Sequence, residues 1–87
     1  MSTFQLKISS PDGNIFDEQV SGFSVRGAEG DLAVLAGHIP LVTTVKACDC
    51  TITLEDGNEK IGHTEGGLLD VSGTEATLFS WNFEWKE

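Results

Sequence analysis

Basic residues are scarce in this sequence. Its 87 residues include five Lys and Arg against fourteen Asp and Glu, which gives a formal net charge of −9 at pH 7. Such a surface repels the phosphates of nucleic acids and the headgroups of anionic lipids. The chain also has no apolar run near the roughly 20 residues that span a bilayer, and no basic segment leads into an apolar one at its start. We therefore expect no nucleic-acid binding and no direct membrane insertion.

Catalytic motifs are missing as well. The sequence has no G-x-S-x-G, no H-E-x-x-H, no P-loop and no dinucleotide-binding glycine motif. His38 and His63 are its only near-neutral bases, and carboxylate pairs such as Asp17-Glu18 lie in polar, turn-like segments. A chain of this size has a small core and little room for a deep cleft. We expect no catalytic residues and no cofactor, and a function in binding.

The two cysteines, Cys48 and Cys50, are separated by one residue. In a strand, such residues share a face about 6–7 Å apart, at or beyond the usual limit for a disulfide. Four ligands at zinc-like spacing are not visible. We predict that both thiols are reduced and metal-free, with Cys50 buried beside Ile52 and Leu54. The alternative is a metal or redox module built from both cysteines and His63.

Short alternating segments separated by turn residues predict β-hairpins. Residues 4–8, FQLKI, alternate strictly, SSPDGN reverses the chain, and IFDEQVSGFSV supplies the partner strand. Gly22 interrupts that partner and indicates a bulge or a strand break. Asp56-Gly57 predicts a second hairpin with EKIGHTE as its return strand. In a third hairpin the predicted pairs join Leu69 and Val71 to Ala76 and Leu78.

No segment repeats apolar residues at helical spacing over three turns, so the fold class is predicted to be all-β. Turn signals every 8–12 residues favour a two-sheet β-sandwich or flattened barrel, with strands paired mostly as sequential hairpins. Linkers, repeats and low-complexity tracts are absent. We therefore expect a single domain over residues 1–87.

Four segments in order, SPDGNIFDEQV, GAEGDLAVLAGHIPLVTTVK, LEDG and EGGLLDV, resemble the amino-terminal β-sandwich domain of the epsilon subunit of F-type ATP synthase. The most specific block is residues 29–44, and the resemblance runs from about Phe4 to Phe79. It implies about ten short strands and a non-catalytic subunit that docks on the gamma shaft and the c-ring. That subunit couples proton translocation to ATP synthesis. It would lie peripherally on the cytoplasmic side of the inner or plasma membrane, or on the equivalent organelle face.

The resemblance also implies interface residues. Glu29 and Asp31 would form an exposed turn that presents carboxylates to the c-ring loops as charge-assisted partners. Leu32 and Val34, with Leu35 as a further candidate, would anchor this turn in the sandwich. The alternative for Asp31 is a turn-forming role alone. His38 belongs to a corner where it either satisfies backbone carbonyls or contacts gamma or the c-ring.

Aromatic residues crowd the end of the chain. Phe79, Trp81, Phe83 and Trp85 have the same parity, so a strand places them on one face, whereas a helix would divide them between two sides. We predict that residues 80–87 extend the final strand and point these rings out of the sandwich. There they would fold over the sandwich or contact gamma. A frayed terminus is the alternative.

Members of this family usually continue into a helical hairpin that can restrain ATP hydrolysis or bind ATP. Because the sequence stops at Glu87, we expect neither inhibition by such a hairpin nor nucleotide binding. The alternative function is a free-standing small β-sandwich that binds a ligand. FSWNFEW, residues 79–85, is the only candidate for the exposed aromatic site that such a module needs.

Overall fold

The computed structural model describes residues 3–27, 30–37, 40–73 and 75–86. Within these ranges the chain forms nine strands and no helix, which confirms the predicted all-β fold. The strands are β1 Phe4–Ser10, β2 Gly13–Gly27, β3 Gly30–Leu35, β4 Leu41–Val45, β5 Cys48–Leu54, β6 Glu59–Thr64, β7 Gly67–Val71, β8 Glu75–Ser80 and β9 Phe83–Lys86. The described residues consequently offer no helix of the length and apolarity that crossing a membrane requires.

The three hairpins predicted from turn residues are present. β1 and β2 meet at the Pro11-Asp12 turn, and β5 and β6 meet at the Asp56-Gly57 turn. β2 continues through Gly22, where its register with β5 shifts, so the glycine marks a bulge rather than a break. β7 and β8 pair as predicted, with Leu69 opposite Leu78 and Val71 opposite Ala76.

The expectation that most strands pair as sequential hairpins is wrong. Of nine pairings among the described residues, only β1–β2, β2–β3, β5–β6 and β7–β8 join consecutive strands. β4 pairs with β7, β6 with β9, and β1 runs parallel to β8. A small sheet must close over its own apolar face, and this requires partners that are distant in the sequence.

The core lies on the inner face of the sheet and follows the alternation of each strand. Its members are buried to 95% or more: Phe4, Leu6, Ile8, Phe16, Val20, Phe23, Val25, Val34, Val45, Cys50, Ile52, Leu69, Val71, Ala76 and Leu78. Each large aliphatic or aromatic side chain removed from water in this way contributes about 1.5–3 kcal/mol. This core fixes which side chains remain on the outer face.

The end of the chain differs from the predicted strand extension. β8 ends at Ser80, whose hydroxyl lies 2.6 Å from that of Thr64 and donates to the Asn82 carbonyl at 2.9 Å. The Trp81 amide donates to the Gly66 carbonyl, and the chain bends before β9 pairs with β6. The predicted strand extension is therefore wrong. The buried contact of Ser80 with Thr64 of β6 ends β8, although the alternation of aromatic residues in the sequence continues through the bend.

Candidate docking surfaces

The β2–β3 hairpin presents Asp31 beside its tip. Gly30 has φ +128°, a conformation that glycine adopts without steric cost, and it is the partner of Gly27 across the hairpin. Arg26 is opposite Asp31, and its Nε lies 3.2 Å from Asp31 Oδ1. Both side chains are well exposed. An exposed pair contributes little to stability, so Asp31 can exchange this partner for another cation.

The anchoring of this hairpin agrees with the prediction in part. Val34 is buried and Leu32 is half-buried against the core. Leu35 is 60% exposed and therefore no anchor, because the strand alternation places it on the same side as Asp31. Glu29 and His38 lie outside the described residues.

The two cysteines lie behind this hairpin, on the inner side of β5. Cys50 is buried, as predicted, and burial together with the neighbouring Cys48 thiol raises the pKa of Cys50 to about 12. Cys48 is half-buried, and its Sγ accepts a hydrogen bond from the Arg26 amide at 3.3 Å. Both thiols are free. Among the described residues, no three His, Cys, Asp or Glu side chains are placed to hold a metal ion.

Exposed apolar side chains form a second surface, which we call the apolar strip: Val42, Leu68, Phe79 and Trp81. Leu68 and Phe79 are partners across β7 and β8, and Val42 lies on the adjacent strand β4. Trp81 follows at the bend and is 68% exposed, and Val42 is 63% exposed. Phe79 and Trp81 also line a depression of about 250 Å³ that Pro11 closes at the β1–β2 turn.

The sequence pattern indicated the two aromatic members of the strip but not the two aliphatic ones. The signal for Leu68 was present, because placing Leu69 and Val71 inward leaves Leu68 outward. Val42 gave no comparable signal, since its strand LVTTV has apolar residues of both parities. Only the pairing of β4 with β7 brings Val42, which is opposite Asp70, to a position diagonal to Leu68.

Phe83 and Trp85 belong to a different surface from Trp81. The Phe83 ring covers Gly62, where an added Cβ would collide with it, and Phe83 packs against the core. Trp85 makes edge-to-face contacts with Phe83 at 5.0 Å and with Phe16 at 5.7 Å. The prediction that all these rings point outward is thus wrong for Phe83, because the bend before β9 turns it onto the open edge of the core.

The Trp85 ring is capped by a cation. Lys60 Nζ lies 4.4 Å from the Trp85 ring centroid and 5.7 Å from that of Phe16. Exposed cation–π contacts of this kind are worth about 0.5–1 kcal/mol. Trp85 remains 37% exposed, so it lies half-covered at this edge. Of the three predicted aromatic interface residues, Trp81 alone projects freely from the apolar strip.

Comparison with known proteins identifies the family of this chain. Residues 3–86 match the family model described as ATP synthase, Delta/Epsilon chain, beta-sandwich domain. The sodium ion specific ATP synthase epsilon chain of Acetobacterium woodii is 38% identical over 85 residues, which cover 98% of this chain and 64% of that protein. The chain thus spans slightly less than two thirds of this curated relative.

Two solved structures share the fold. A chain of the Euglena gracilis mitochondrial ATP synthase superposes with a TM-score of 0.91 at 22% identity, covering 98% of this chain and 54% of that one. A chain of the Tetrahymena thermophila mitochondrial ATP synthase central stalk and c-ring gives a TM-score of 0.74 at 9% identity, covering 91% and 63%. These likenesses concern the fold alone. The family model, which matches residues 3–86, shows that this chain belongs to the ATP synthase delta/epsilon chain family, of which it carries the β-sandwich domain.

Proposed function

We propose that this domain is a non-catalytic part of the rotating stalk of an F-type ATP synthase, where it docks on the gamma shaft and the c-ring. The match to the family model over residues 3–86 carries this proposal. In that position the domain couples ion translocation to ATP synthesis, and we expect the ion to be the proton. The domain is held peripherally at the membrane, on the cytoplasmic side or the equivalent organelle face, by the complex to which it belongs.

The apolar strip is the surface that suits gamma. Exposed apolar patches of several hundred Å² on a small domain mark protein contacts, and each aromatic ring offers about 150–250 Å² for burial. Trp81 and Phe79 supply two such rings beside Leu68 and Val42. Tryptophan is also among the residues that most often dominate the binding energy of an interface. Phe83 and Trp85 add to the gamma contact only where the partner also covers the edge of the sheet at β9.

The β2–β3 hairpin is the surface that suits the c-ring loops. Asp31 offers a carboxylate that a basic or amide side chain can bind in place of Arg26. Glu29, adjacent in sequence to the hairpin tip, would add a second carboxylate, and His38 would contact either partner. Charged groups at a rim set orientation and association rate more than affinity. We also expect these 87 residues neither to bind nucleotide nor to inhibit hydrolysis, because their described part contains no helix.

Binding to the purified complex of the alpha, beta and gamma subunits of an F-type ATP synthase, written αβγ here, tests the gamma contact. We expect Trp81→Ser to weaken binding by about 30-fold or more, as is typical for an interface hot spot. The exposed Trp81 makes little contribution to the core, so the fold should be unaffected. Ile61→Ser is the matched control, because Ile61 is also an exposed apolar residue but lies on β6, outside the strip.

The outcomes separate the surface from the function. Equal binding of Trp81→Ser and wild type, or an equal loss with Ile61→Ser, would show that the strip is the wrong surface. Failure of the wild-type domain to bind αβγ or a complete ATP synthase lacking epsilon would contradict the stalk function itself. Binding should be measured by calorimetry or by surface-immobilised complex.

Asp31→Arg is expected to leave the domain folded while reducing ion pumping by the assembled enzyme. The replacement puts a second cation beside Arg26 at an exposed site, where stability changes are usually within about 0.5 kcal/mol. Glu55→Arg is the matched control, because it makes the same charge change in the β5–β6 turn, which lies beside the middle of β2 and away from the β2–β3 tip. Unchanged pumping in a normally assembled enzyme, measured in inverted vesicles, would remove Asp31 from the interface.

A further inference from the structure

The His63 ring lies between two carboxylates on the outer face of the sheet. Its Nδ1 is 2.9 Å from Asp49 Oδ1, and its Nε2 is 2.8 Å from Glu65 Oε2. An ionised carboxylate only accepts hydrogen bonds, so both bonds require both ring nitrogens to carry protons. This geometry therefore fits the imidazolium cation. Loss of one proton breaks one of the two bonds and leaves a nitrogen lone pair facing a carboxylate.

Two members of the cluster act on β9: Lys86 through its bond to Asp49, and His63 through its charge opposite Glu84, whereas the two hydrogen bonds of His63 end on Asp49 and Glu65. Asp49 is opposite His63 across β5 and β6, and His63 is opposite Glu84 across β6 and β9. The second oxygen of Asp49 accepts a hydrogen bond from Lys86 Nζ at 3.2 Å, which spans from β9 to β5 over the intervening β6. β9 is only four residues long and, within the described residues, pairs with β6 alone. The cluster thus supplements a short ladder of backbone bonds.

The charges around His63 come from every neighbouring strand. Its outer-face neighbours are Asp49 of β5, Glu65 just beyond β6, and Glu84 and Lys86 of β9, whereas Glu59 lies four residues back along β6. With His63 charged, two cations separate three carboxylates. With His63 neutral, Lys86 alone remains among those carboxylates, and Glu84 of β9 then faces like charges.

The pKa values of the cluster follow from these bonds. The hydrogen bond to Asp49 and then that to Glu65 raise the pKa of His63 above its ordinary 6.5. The hydrogen bond from His63 and then that from Lys86 lower the pKa of Asp49 below 3.8. The His63 contribution to stability is therefore complete below pH 6.5 and is lost as the pH rises through the raised value. The Asp49 contribution is present above pH 3.8 and is lost as the pH falls through the lowered value.

We propose that His63 is a pH-sensitive clasp, which holds β9 on the sheet while it is protonated and loosens that strand when it is neutral. Loosening β9 uncovers Phe83 and Trp85, which this strand lays over Gly62 and Phe16. The clasp is complete between about pH 4 and 6.5 and weakens toward alkaline pH. This proposal does not depend on the stalk function, because it concerns contacts within the domain.

Amide exchange of β9 tests the clasp. We expect the protection factors of Phe83–Lys86, corrected for the intrinsic effect of pH on exchange, to fall about two- to fivefold between pH 6 and 8.5. The fall should be smaller in 1 M salt, since the cluster is partly exposed. Protection in β8, which the clasp does not touch, should stay constant and is the internal control.

Variants identify the group responsible. His63→Gln should give low, pH-independent β9 protection over the same range. Asp49→Asn should move the His63 pKa toward 6.5, as followed by proton NMR of the imidazole, and should lower β9 protection at pH 6. The NMR titration of the Asp49→Asn protein serves as the test even if His63→Gln fails to fold. β9 protection that stays constant while wild-type His63 titrates, or that falls equally in His63→Gln, would overturn the proposal.

Discussion

Replacing Gly67 with alanine is expected to lower the free energy of unfolding by about 3 kcal/mol. A Cβ on Gly67 would collide with the carbonyl of Phe79 and lie 3.0 Å from Ser80 Cα. These are backbone atoms of β8, held in the ladder by the pairing of Gly67 with Ser80. Unlike the end of a flexible side chain, they cannot move aside without separating the strands. A domain of this size has a total stability of about 5–10 kcal/mol, so the loss would be a large part of it.

Gly73→Ala is the matched control, because an added Cβ there meets no atom within 4 Å. We expect it to change the free energy of unfolding by less than about 0.5 kcal/mol. Both variants can be compared by urea denaturation followed by far-ultraviolet circular dichroism. If the two alanine substitutions lowered the free energy of unfolding equally, the close approach of β7 and β8 at Gly67 would not be the cause of the loss.

Leu69→Ala is expected to destabilise the domain by about 2–5 kcal/mol, the usual range for truncating a buried leucine. Leu69 has no exposed surface and is opposite Leu78, which is equally buried. The truncation loses the apolar area of the side chain and leaves a cavity that the surrounding strands fill only in part. Unfolding in urea should show a lower midpoint with an unchanged slope.

The adjacent residue supplies the control for this prediction. Leu68 is the same residue type in the same strand but faces outward in the apolar strip, and it is 37% exposed. Leu68→Ala should cost well under half of what Leu69→Ala costs, while weakening binding to the αβγ complex. If Leu68→Ala proved the more destabilising of the pair, the assignment of the two faces of β7 would be reversed.

Local patterns predicted the hairpins and most of the core. Strict alternation in residues 4–8, and again from Cys48 to Leu54, gave both the strand and its buried face. Turn residues such as Asp56-Gly57 predicted where the chain reverses direction between paired strands. These features depend on side-chain direction and backbone sterics within a few residues, so the sequence displays them directly.

Features that depend on distant partners were not predicted. The bend at Trp81 arises because Ser80 meets Thr64, sixteen residues earlier, and no local pattern records that contact. His63 appeared in the sequence only as a near-neutral base and an alternative metal ligand, because the registers of β5, β6 and β9 bring Asp49 against it and Lys86 against Asp49. The assignments of Asp31, Trp81, Phe83 and Trp85 to an interface stay predictions, as do those of Glu29 and His38. The extent of the single domain over residues 1–87 also stays a prediction.

The parallel pairing of β1 with β8 has a consequence for how the domain forms. Leu6 lies beside Ala76 and Ile8 beside Leu78, so strands about seventy residues apart share one stretch of ladder. During synthesis, one edge of β1 in the β1–β2 hairpin therefore stays unpaired until β8 has left the ribosome. Contacts this distant in the chain also make folding slow, since the entropy of closing the long loop is lost before the contacts form. Through that interval the exposed edge of β1 is a site where a nascent chain can pair with a neighbour, and a chaperone would be most useful there.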